Sequence, residues 1–432
     1  MKEAKGWRLG SMGDIKILPG SRHRPPLKRP IWIILTVSFV SLLLLCAYLY
    51  PPNGDIACYL FSSKGCKAFG NWLPPVPTRE FTDEEIISRV VVKDILNMPQ
   101  VQSKNPKIAF MFLTPGSLPF EKLWDMFFRG HEGRFSVYVH ASKEKPVHES
   151  RYFLNREIRS SAVQWGAFNM VDAEKRLLAY ALKDPDNEHF VLLSDSCVPI
   201  RDFDYVFSYL MHANMSFVDS FVDPGPYGNG RYSTRMLPEV EEKDFRKGSQ
   251  WFTMNRKHAL IVMADSLYYS RHGTMESEPE FTSLTHNRSC SQPGLDGKNC
   301  IADEHYFPTF FNLIDPGGIA NWSVTHVDWS ERKWHPKSYR TQDVTYELLR
   351  NIMTLDEKTH ITSNDKGDEL LQPCLWNGIR RPCFLFARKF YPETLDKLIY
   401  TFVNWPRFAI MILACKGNRK TGNNRTWQEA ES

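Results

Sequence analysis

The stretch Ile108-Ala-Phe-Met-Phe-Leu113, closed by Thr114-Pro115-Gly116, decides the fold class of this chain. Six consecutive apolar residues that end in a turn signal predict a strand buried on both faces. Two further strands of this kind are predicted at Phe135 to Val139 and at His189 to Leu193. Apolar residues at helical spacing predict helices between and after these strands, around Phe120 to Phe127, Met170 to Leu182 and Phe203 to Met211. Alternating strands and helices predict an α/β fold around a largely parallel sheet that is covered on both faces.

In such a sheet, ligands bind beyond the carboxyl ends of the strands. The segments to watch are therefore Thr114-Pro-Gly116, His140-Ala-Ser142 and Ser194-Asp-Ser-Cys197. The Gly-x-Gly-x-x-Gly fingerprint, the Walker loop and the Gly-x-Ser-x-Gly elbow do not occur in the sequence. A Rossmann dehydrogenase, a P-loop kinase or sulfotransferase and a serine hydrolase are accordingly disfavoured.

The charge of the chain is concentrated at its N-terminus. The net charge is +5, but residues 1–29 hold eight Lys and Arg against Glu3 and Asp14, which leaves −1 for the other 403 residues. A nucleic-acid-binding protein would need a basic excess in its folded part. With 42% hydrophobic residues, the chain has enough apolar side chains for a substantial core.

A membrane anchor is predicted directly after this basic segment. Ile31 to Tyr50 contains 20 residues without a charge, enough for a helix of about 30 Å to cross the hydrocarbon core. Pro51-Pro52-Asn53 is unlike a signal-peptide cleavage site. Because the basic residues precede the anchor, the positive-inside rule predicts a type II protein. We predict a cytosolic tail (1–29), a transmembrane signal anchor (30–50), a stem (51–105), a lumenal domain (106–405) and a C-terminal tail (406–432).

The eight cysteines beyond Cys46 in the anchor suggest disulfide bonds in an oxidising compartment. Three local pairs are plausible, and their connectivity stays open: Cys58/Cys66, Cys290/Cys300 and Cys374/Cys383. Cys197 is either a disulfide partner or a core cysteine. Lumenal exposure is also consistent with four Asn-x-Ser/Thr glycosylation sequons, at Asn214, Asn287, Asn321 and Asn424.

The stretch from Cys300 to Thr309 contains the candidate chemistry. Asp303 and Glu304 are adjacent carboxylates in front of an apolar segment that includes Phe310 and Phe311. A carboxylate in this setting can be a general base whose pKa is tuned by burial. The alternative is that both acids only complement the dipole of a following helix. Pro308 indicates that the helix either begins nearby or kinks there.

Eight phrases, in order over about residues 106–405, resemble the Core-2/I-branching β-1,6-N-acetylglucosaminyltransferase family (glycosyltransferase family 14), particularly its plant branch. These phrases are Lys107-Ile-Ala-Phe-Met-Phe-Leu-Thr, Phe135-Ser-Val-Tyr-Val-His-Ala, Val163-Gln-Trp-Gly, Phe190-Val-Leu-Leu-Ser-Asp-Ser-Cys-Val-Pro-Ile, Arg246-Lys-Gly-Ser-Gln-Trp-Phe, Asp303-Glu-His-Tyr-Phe-Pro-Thr, Val327-Asp-Trp-Ser and Cys383-Phe-Leu-Phe-Ala-Arg-Lys-Phe. The resemblance implies a type II Golgi protein with a GT-A-like nucleotide-sugar-binding fold and inverting chemistry. The characterised animal enzymes of the family need no metal.

The resemblance also assigns roles to individual residues. It makes Glu304 the catalytic base and Asp303 its supporting neighbour. It places Lys389, Arg388 and Asp195 at the donor, and Trp329, Asp219 and Trp251 at the acceptor. The alternatives are a solvated basic pair for Lys389 and Arg388, and core packing for Trp329. Trp165 is interpreted as structural. The family's upstream arginine has no counterpart near His360-Ile-Thr362, and Lys366 is the candidate replacement.

No metal ion or other cofactor is predicted. The Asp-x-Asp at Asp184-Pro185-Asp186 is expected to be a solvated turn, while Ser194-Asp195-Ser196 has one carboxylate at the expected strand end. Fixed cations are then expected to stabilise the leaving diphosphate.

The resulting expectation is a Golgi membrane glycosyltransferase that moves a sugar from a UDP-sugar to a glycan or glycoprotein acceptor, in cell-wall polysaccharide or arabinogalactan synthesis. The donor is left open among UDP-N-acetylglucosamine, UDP-glucuronic acid and UDP-xylose. The alternative is a catalytically inactive, membrane-anchored glycan-binding protein of the same fold. Glu304 together with Lys389 favours the enzyme, and the missing arginine favours the alternative.

Overall fold

The computed structural model describes residues 35–42, 73–75, 79–99, 103–273, 301–333, 335–376 and 378–403. The chain divides into two compact units, Met1–Gly70 and Asn71–Ser432. In the first unit, residues 35–42 are helical. Within the described residues, no helix is both long and apolar enough to cross a membrane. The rest of the predicted anchor, the cytosolic tail, most of the stem and the C-terminal tail lie outside the described residues.

The second unit has thirteen strands and eight α-helices in its described part. The strands are β1 (Lys107–Thr114), β2 (Phe135–Ala141), β3 (Asn187–Ser194), β4 (Val198–Pro199), β5 (Ser216–Asp219), β6 (Thr253–Asn255), β7 (Ile319–Asn321), β8 (Thr325–Val327), β9 (Glu357–Ile361), β10 (Glu369–Pro373), β11 (Leu375–Trp376), β12 (Ile379–Arg380) and β13 (Phe386–Arg388). The helices are α1 (Asp83–Asn97), α2 (Glu121–Phe128), α3 (Asn169–Leu182), α4 (Phe203–Met211), α5 (Arg256–Ala264), α6 (Leu267–Gly273), α7 (Tyr306–Ile314) and α8 (Tyr346–Thr354).

The central sheet has six strands in the order β2-β1-β3-β6-β5-β7. Its strands β2, β1 and β3 are parallel, β6 is antiparallel to both of its neighbours, and β5 and β7 are again parallel. A three-stranded sheet, β4-β13-β8, and the hairpins β9–β10 and β11–β12 complete the unit. The predicted α/β fold with a central, mostly parallel sheet is confirmed.

The core forms because the apolar run of β1 is covered by an aromatic helix face. All residues from Ile108 to Phe112 are fully buried. The ring of Trp124 in α2 lies 5.2 Å from that of Phe112, and Phe128 lies 5.0 Å from Phe110. Aromatic rings in edge-on geometry at these distances stabilise the fold beyond the free energy gained by burying them. This packing fixes the strand ends where the candidate site lies.

Two local predictions are settled by the structure. Helix α7 begins two residues before Pro308, so this proline lies in the first turn, where its missing N–H costs no helical hydrogen bond. Asp184 and Asp186 lie in the turn between α3 and β3, with carboxylate oxygens 3.0 and 3.4 Å from Lys107 Nζ. The predicted turn is confirmed.

Cys374 and Cys383 form a disulfide, as predicted, that closes the segment carrying β11 and β12. Cys197 is buried and free, and the backbone N–H of Ser194 donates to its Sγ at 3.2 Å, so it is a core cysteine. The other predicted pairs, Cys58/Cys66 and Cys290/Cys300, fall outside the described residues.

Two of the four predicted glycosylation sequons can be located. Asn214 is exposed after α4, whereas Asn321 is partly buried in β7. Ser323, the third residue of the second sequon, is buried and donates to the backbone oxygen of Trp251. Asn287 and Asn424 fall outside the described residues, and glycosylation stays a prediction at all four positions.

Candidate active site

A cleft of about 760 Å³ opens at the carboxyl ends of the central strands. Thr114 from the end of β1, Ser142 after β2, Asp195 after β3 and Asp219 at the end of β5 all line it. Ligands of open α/β sheets bind at this position, beyond the carboxyl ends of the strands. All eight residues to which the sequence assigns catalytic, donor or acceptor roles also line this cleft.

One side of the cleft, here called the carboxylate wall, is formed by residues 301–304 and the side chain of Arg231. Ala302–Glu304 form a 3-10 turn, in which the N–H of Glu304 donates to the carbonyl of Ile301 at 3.0 Å. The N–H of Gly248 donates to the Glu304 carbonyl at 2.9 Å. A side chain at Gly248 would lie 1.9 Å from the Asp219 backbone oxygen, so the approach of these segments requires glycine.

The two adjacent carboxylates have different environments. The side chain of Glu304 is 23% exposed, and its Oε2 accepts a hydrogen bond from Arg231 Nη1 at 3.0 Å. Asp303 is only 3% exposed, and its Oδ1 has no hydrogen-bond partner among the described residues. Burial, reinforced by the charge of Glu304, raises the pKa of Asp303 to about 7. Glu304 is therefore the carboxylate of the pair that is open to a substrate.

A second buried acid lies behind Asp303. Glu174 in α3 is fully buried, and its Oε1 accepts from the Gln250 side-chain amide at 2.9 Å. Burial, with the charge of Asp303 as a smaller cause, raises the pKa of Glu174 well above its usual value. Burial therefore favours the neutral form of Glu174, which limits the negative charge near Asp303.

Arg231 is held in place by its own network. Its Nη1 also lies 3.4 Å from His305 Nε2, and His305 Nδ1 lies 2.9 Å from the Arg246 carbonyl oxygen. Burial lowers the pKa of His305 well below its usual value, so the ring is neutral. Because Nδ1 then donates to the carbonyl, Nε2 accepts from Arg231. The guanidinium is thus fixed between His305 and Glu304.

A second part of the cleft lining, here called the cation wall, consists of Asp195, Arg388 and Lys389. Arg388 ends β13, and its guanidinium lies 4.3 Å from the ring centre of Trp251. Burial raises the pKa of Asp195, and the charges of Arg388 and Lys389 oppose that rise. The structure therefore brings together the three residues predicted at the donor. Lys389 is exposed to solvent, whereas Arg388 is partly buried.

The three residues predicted at the acceptor differ in accessibility. Trp329 is 37% exposed in the cleft, so the alternative of core packing is wrong for it. Trp251 is only 5% exposed beneath Arg388. Asp219 is buried, and its two carboxylate oxygens are taken by His360 Nε2 at 2.6 Å and the Ser249 N–H at 3.0 Å. Trp329 is therefore the member of this set that offers a free surface to a ligand.

Two further interpretations change. Trp165, interpreted from the sequence as structural, is 55% exposed and lines the cleft. Its side chain is thus on the surface and not part of the core. Lys366 does not line the cleft, although Asp365 and Gly367 do. Strand β9, which precedes Lys366, contributes the basic side chain of Lys358 to the cleft.

The cleft carries an excess of positive charge. Eight basic side chains line it: Lys143, Arg231, Lys247, Arg332, Lys333, Lys358, Arg388 and Lys389. Five acidic side chains oppose them: Asp195, Asp219, Asp303, Glu304 and Asp365. A concave site with this balance attracts anions such as phosphates. In the part of the chain that the structure covers, no three His, Cys, Asp or Glu side chains are grouped as a metal site would require.

Sequence reasoning missed Arg231, Glu174 and Lys247. Arg231 lies in the short segment Asn229-Gly-Arg, which carries no recognisable motif. Lys247 stands inside the quoted phrase Arg246-Lys-Gly-Ser, where its link to Asp223 at 3.1 Å was not foreseeable. The one available signal was Glu174, a charged residue on the otherwise apolar face of a predicted helix.

Comparison with known proteins gives two consistent results. Residues 108–353 match the family described as Branch: Core-2/I-Branching enzyme. The chain is also similar to the protein named glycosyltransferase BC10 from Oryza sativa subsp. japonica, with 40% identity over 307 residues. That similarity covers 66% of this chain and 74% of the rice protein. The family match includes both acids of the carboxylate wall and ends before Arg388 and Lys389.

Proposed function

The chain belongs to the family of Core-2/I-branching enzymes, in the plant branch of glycosyltransferase family 14, and is a glycosyltransferase. From that premise, we propose that it transfers a sugar with inversion from a UDP-sugar to a hydroxyl group of a glycan or glycoprotein acceptor. The observation that supports this most strongly is a single cleft that holds Glu304 on its carboxylate wall and Arg388 with Lys389 on its cation wall.

Glu304 is the general base of the proposed reaction. Because Arg231 binds Oε2 at 3.0 Å, we assign proton acceptance to Oε1. The acceptor oxygen attacks the anomeric carbon of the donor sugar, its proton passes to Glu304, and the bond from that carbon to the diphosphate oxygen breaks. A single displacement of this kind inverts the anomeric configuration. Arg231 fixes the carboxylate without removing it from the substrate.

Arg388 and Lys389 stabilise the negative charge that develops on the leaving UDP. Cations held in place before the reaction cost little reorganisation when that charge appears. Arg388 is held by its contact with the ring of Trp251, at 4.3 Å. We propose that these side chains perform the role that a bound metal ion has in other nucleotide-sugar enzymes, within a GT-A-like domain.

The cellular setting is part of the same proposal. We place the protein in the Golgi membrane as a single-pass type II protein with residues 106–405 in the lumen. The Cys374–Cys383 disulfide supports an oxidising compartment. We propose a cell-wall polysaccharide or arabinogalactan as the acceptor, with UDP-N-acetylglucosamine, UDP-glucuronic acid or UDP-xylose as the donor.

The test is UDP release by the purified full chain, with each of these three donors, with arabinogalactan and with or without EDTA. We expect acceptor-stimulated release from one donor that persists in EDTA. A requirement for Mn²⁺ would contradict the role given to the cation wall. Binding of arabinogalactan without turnover of any donor would favour the inactive glycan-binding protein instead.

A further inference from the structure

The tryptophans of the described chain fall into two groups. Among the five whose side chains the structure describes, Trp124, Trp251 and Trp322 are at most 5% exposed. The other two, Trp165 at 55% and Trp329 at 37%, both line the cleft. An indole ring left in water forgoes the free energy of burial. Among the described tryptophans, exposed indole surface therefore occurs only in this cleft, which indicates a surface kept for a ligand.

Trp165 is held beside the carboxylate wall by its neighbour. Gly166 has φ +77°, and a side chain there would lie 2.7 Å from Ile301 Cδ1. Ile301 directly precedes the 3-10 turn that carries Glu304. On its other side, the Trp165 ring lies 5.8 Å from the ring of His335, in the segment that follows Trp329. Trp165 thus lies between the catalytic turn and that segment.

A different exposed ring lies beside the arginine that binds the proposed base. Tyr227 is 46% exposed, lines the cleft and lies 5.5 Å from the guanidinium of Arg231, which binds Glu304. A pyranose presents a C–H face to an aromatic ring, and one ring serves one sugar unit. Tyr227, beside Arg231, is then the ring for the unit that reacts at Glu304, and Trp165 is an additional platform.

We propose that Trp165 is the platform of a second acceptor subsite, which binds the sugar unit next to the one that reacts. The acceptor class is then a chain of two or more pyranose units with an accessible C–H face, rather than a single sugar or an isolated protein side chain. This inference rests on the proposed function, because it takes the acceptor to react at Glu304. It makes Trp165 a residue that determines acceptor length.

The experiment compares the acceptor KM of the full chain for β-linked galacto-oligosaccharides of one to four units, with the donor that it uses. Trp165→Ala should raise the ratio of the trisaccharide KM to the monosaccharide KM about three- to tenfold, the effect of one lost ring contact. In Trp165→Phe, the ratio should return most of the way to the wild-type value. Tyr400→Ala, an exposed aromatic outside the cleft, is the matched control and should leave the ratio unchanged.

A Trp165→Ala variant that raises KM equally for all lengths, or for none, would overturn the second subsite. A merely structural role for Trp165 would lower kcat without any dependence on acceptor length. If the wild-type chain turns over no donor, the proposed function fails separately. Calorimetric titration of the same oligosaccharides then decides the subsite: loss of length-dependent binding in Trp165→Ala supports it, and unchanged binding refutes it.

Discussion

The carboxylate wall and the cation wall of the cleft are built in different ways. Glu304 is fixed by a chain of polar contacts that runs through Arg231 and His305 to a backbone carbonyl. Arg388 instead rests on the face of Trp251, with Asp195 as its acidic neighbour. A base must keep one oxygen free and well directed, whereas a site for a diphosphate must supply charge over a wider area. The difference suggests that the function of the carboxylate wall depends mainly on geometry, and that of the cation wall mainly on charge.

The largest expected effect is on the carboxylate wall. Glu304→Gln keeps the size of the side chain and its ability to accept from Arg231, but it removes the base. We expect kcat for transfer to fall by about 10²–10⁴, the usual contribution of a positioned general base. Steady-state kinetics check this, with Glu347→Gln, an exposed glutamate of α8, as the control. A less than threefold loss would show that Glu304 is not the base.

A smaller and different effect is expected on the cation wall. Lys389→Met removes the exposed charge and keeps the length of the side chain, so transition-state stabilisation of the diphosphate should weaken. We expect kcat/KM for the donor to fall by about 10²-fold. The kcat/KM of the variant should fall less steeply with rising ionic strength than that of the wild type, because one screened charge is gone. Lys122→Met, an exposed lysine on α2, is the control; equal losses in both variants would contradict a specific role for Lys389.

The third prediction concerns the pH dependence of folding stability, which Asp303 should affect because it is the buried carboxylate of the pair. The folded chain holds a proton on Asp303 up to a pKa of about 7, whereas the ordinary value is 3.8. Between these values the unfolded state releases a proton that the folded state keeps, so stability falls as the pH rises through this window. Above pH 7 the full cost of the buried charge is present.

Asp303→Asn removes this cost because the amide does not ionise. We expect the variant to be more stable than the wild type by on the order of 2 kcal/mol above pH 7, less than the pKa difference alone gives because a polar group stays buried. The gain should vanish near pH 4. Thermal unfolding at both pH values measures it, with the exposed Asp94→Asn in α1 as the control. A gain that is the same at both pH values would contradict the raised pKa.

The sequence predicts the fold better than it predicts the contacts of the site. The strands around Phe110 and Phe190 are recognisable because a run of apolar residues can only be buried, and α4 begins at Phe203 as predicted, after the cap Asp202. Buried strands impose their composition on the sequence wherever they occur. Glu304, Arg388 and Lys389 are instead predicted from the family resemblance, because Glu304 lies in a 3-10 turn and Arg388 ends a strand of the smaller, three-stranded sheet.

Arg231 could not be predicted, because it reaches Glu304 across 73 positions of the chain from a loop without periodicity. Its place depends on how the loop packs: a side chain at Gly228 would lie 2.1 Å from the Asp223 backbone oxygen, and one at Gly225 2.3 Å from the backbone of residues 363 and 364. Such contacts are decided by tertiary packing and leave no local signal. The same holds for Trp165, whose neighbour Gly166 packs against Ile301, a residue far along the chain.

The most direct test of the central claim is the configuration of the product. The account requires one displacement, in which Glu304 takes the acceptor proton while Arg388 and Lys389 hold the departing UDP. Proton NMR of the product that the wild-type chain forms from an α-linked UDP-sugar should show a β-linked sugar from the first turnover. An α-linked product would contradict the account, because retention requires a second displacement or another route that a single base at position 304 does not provide.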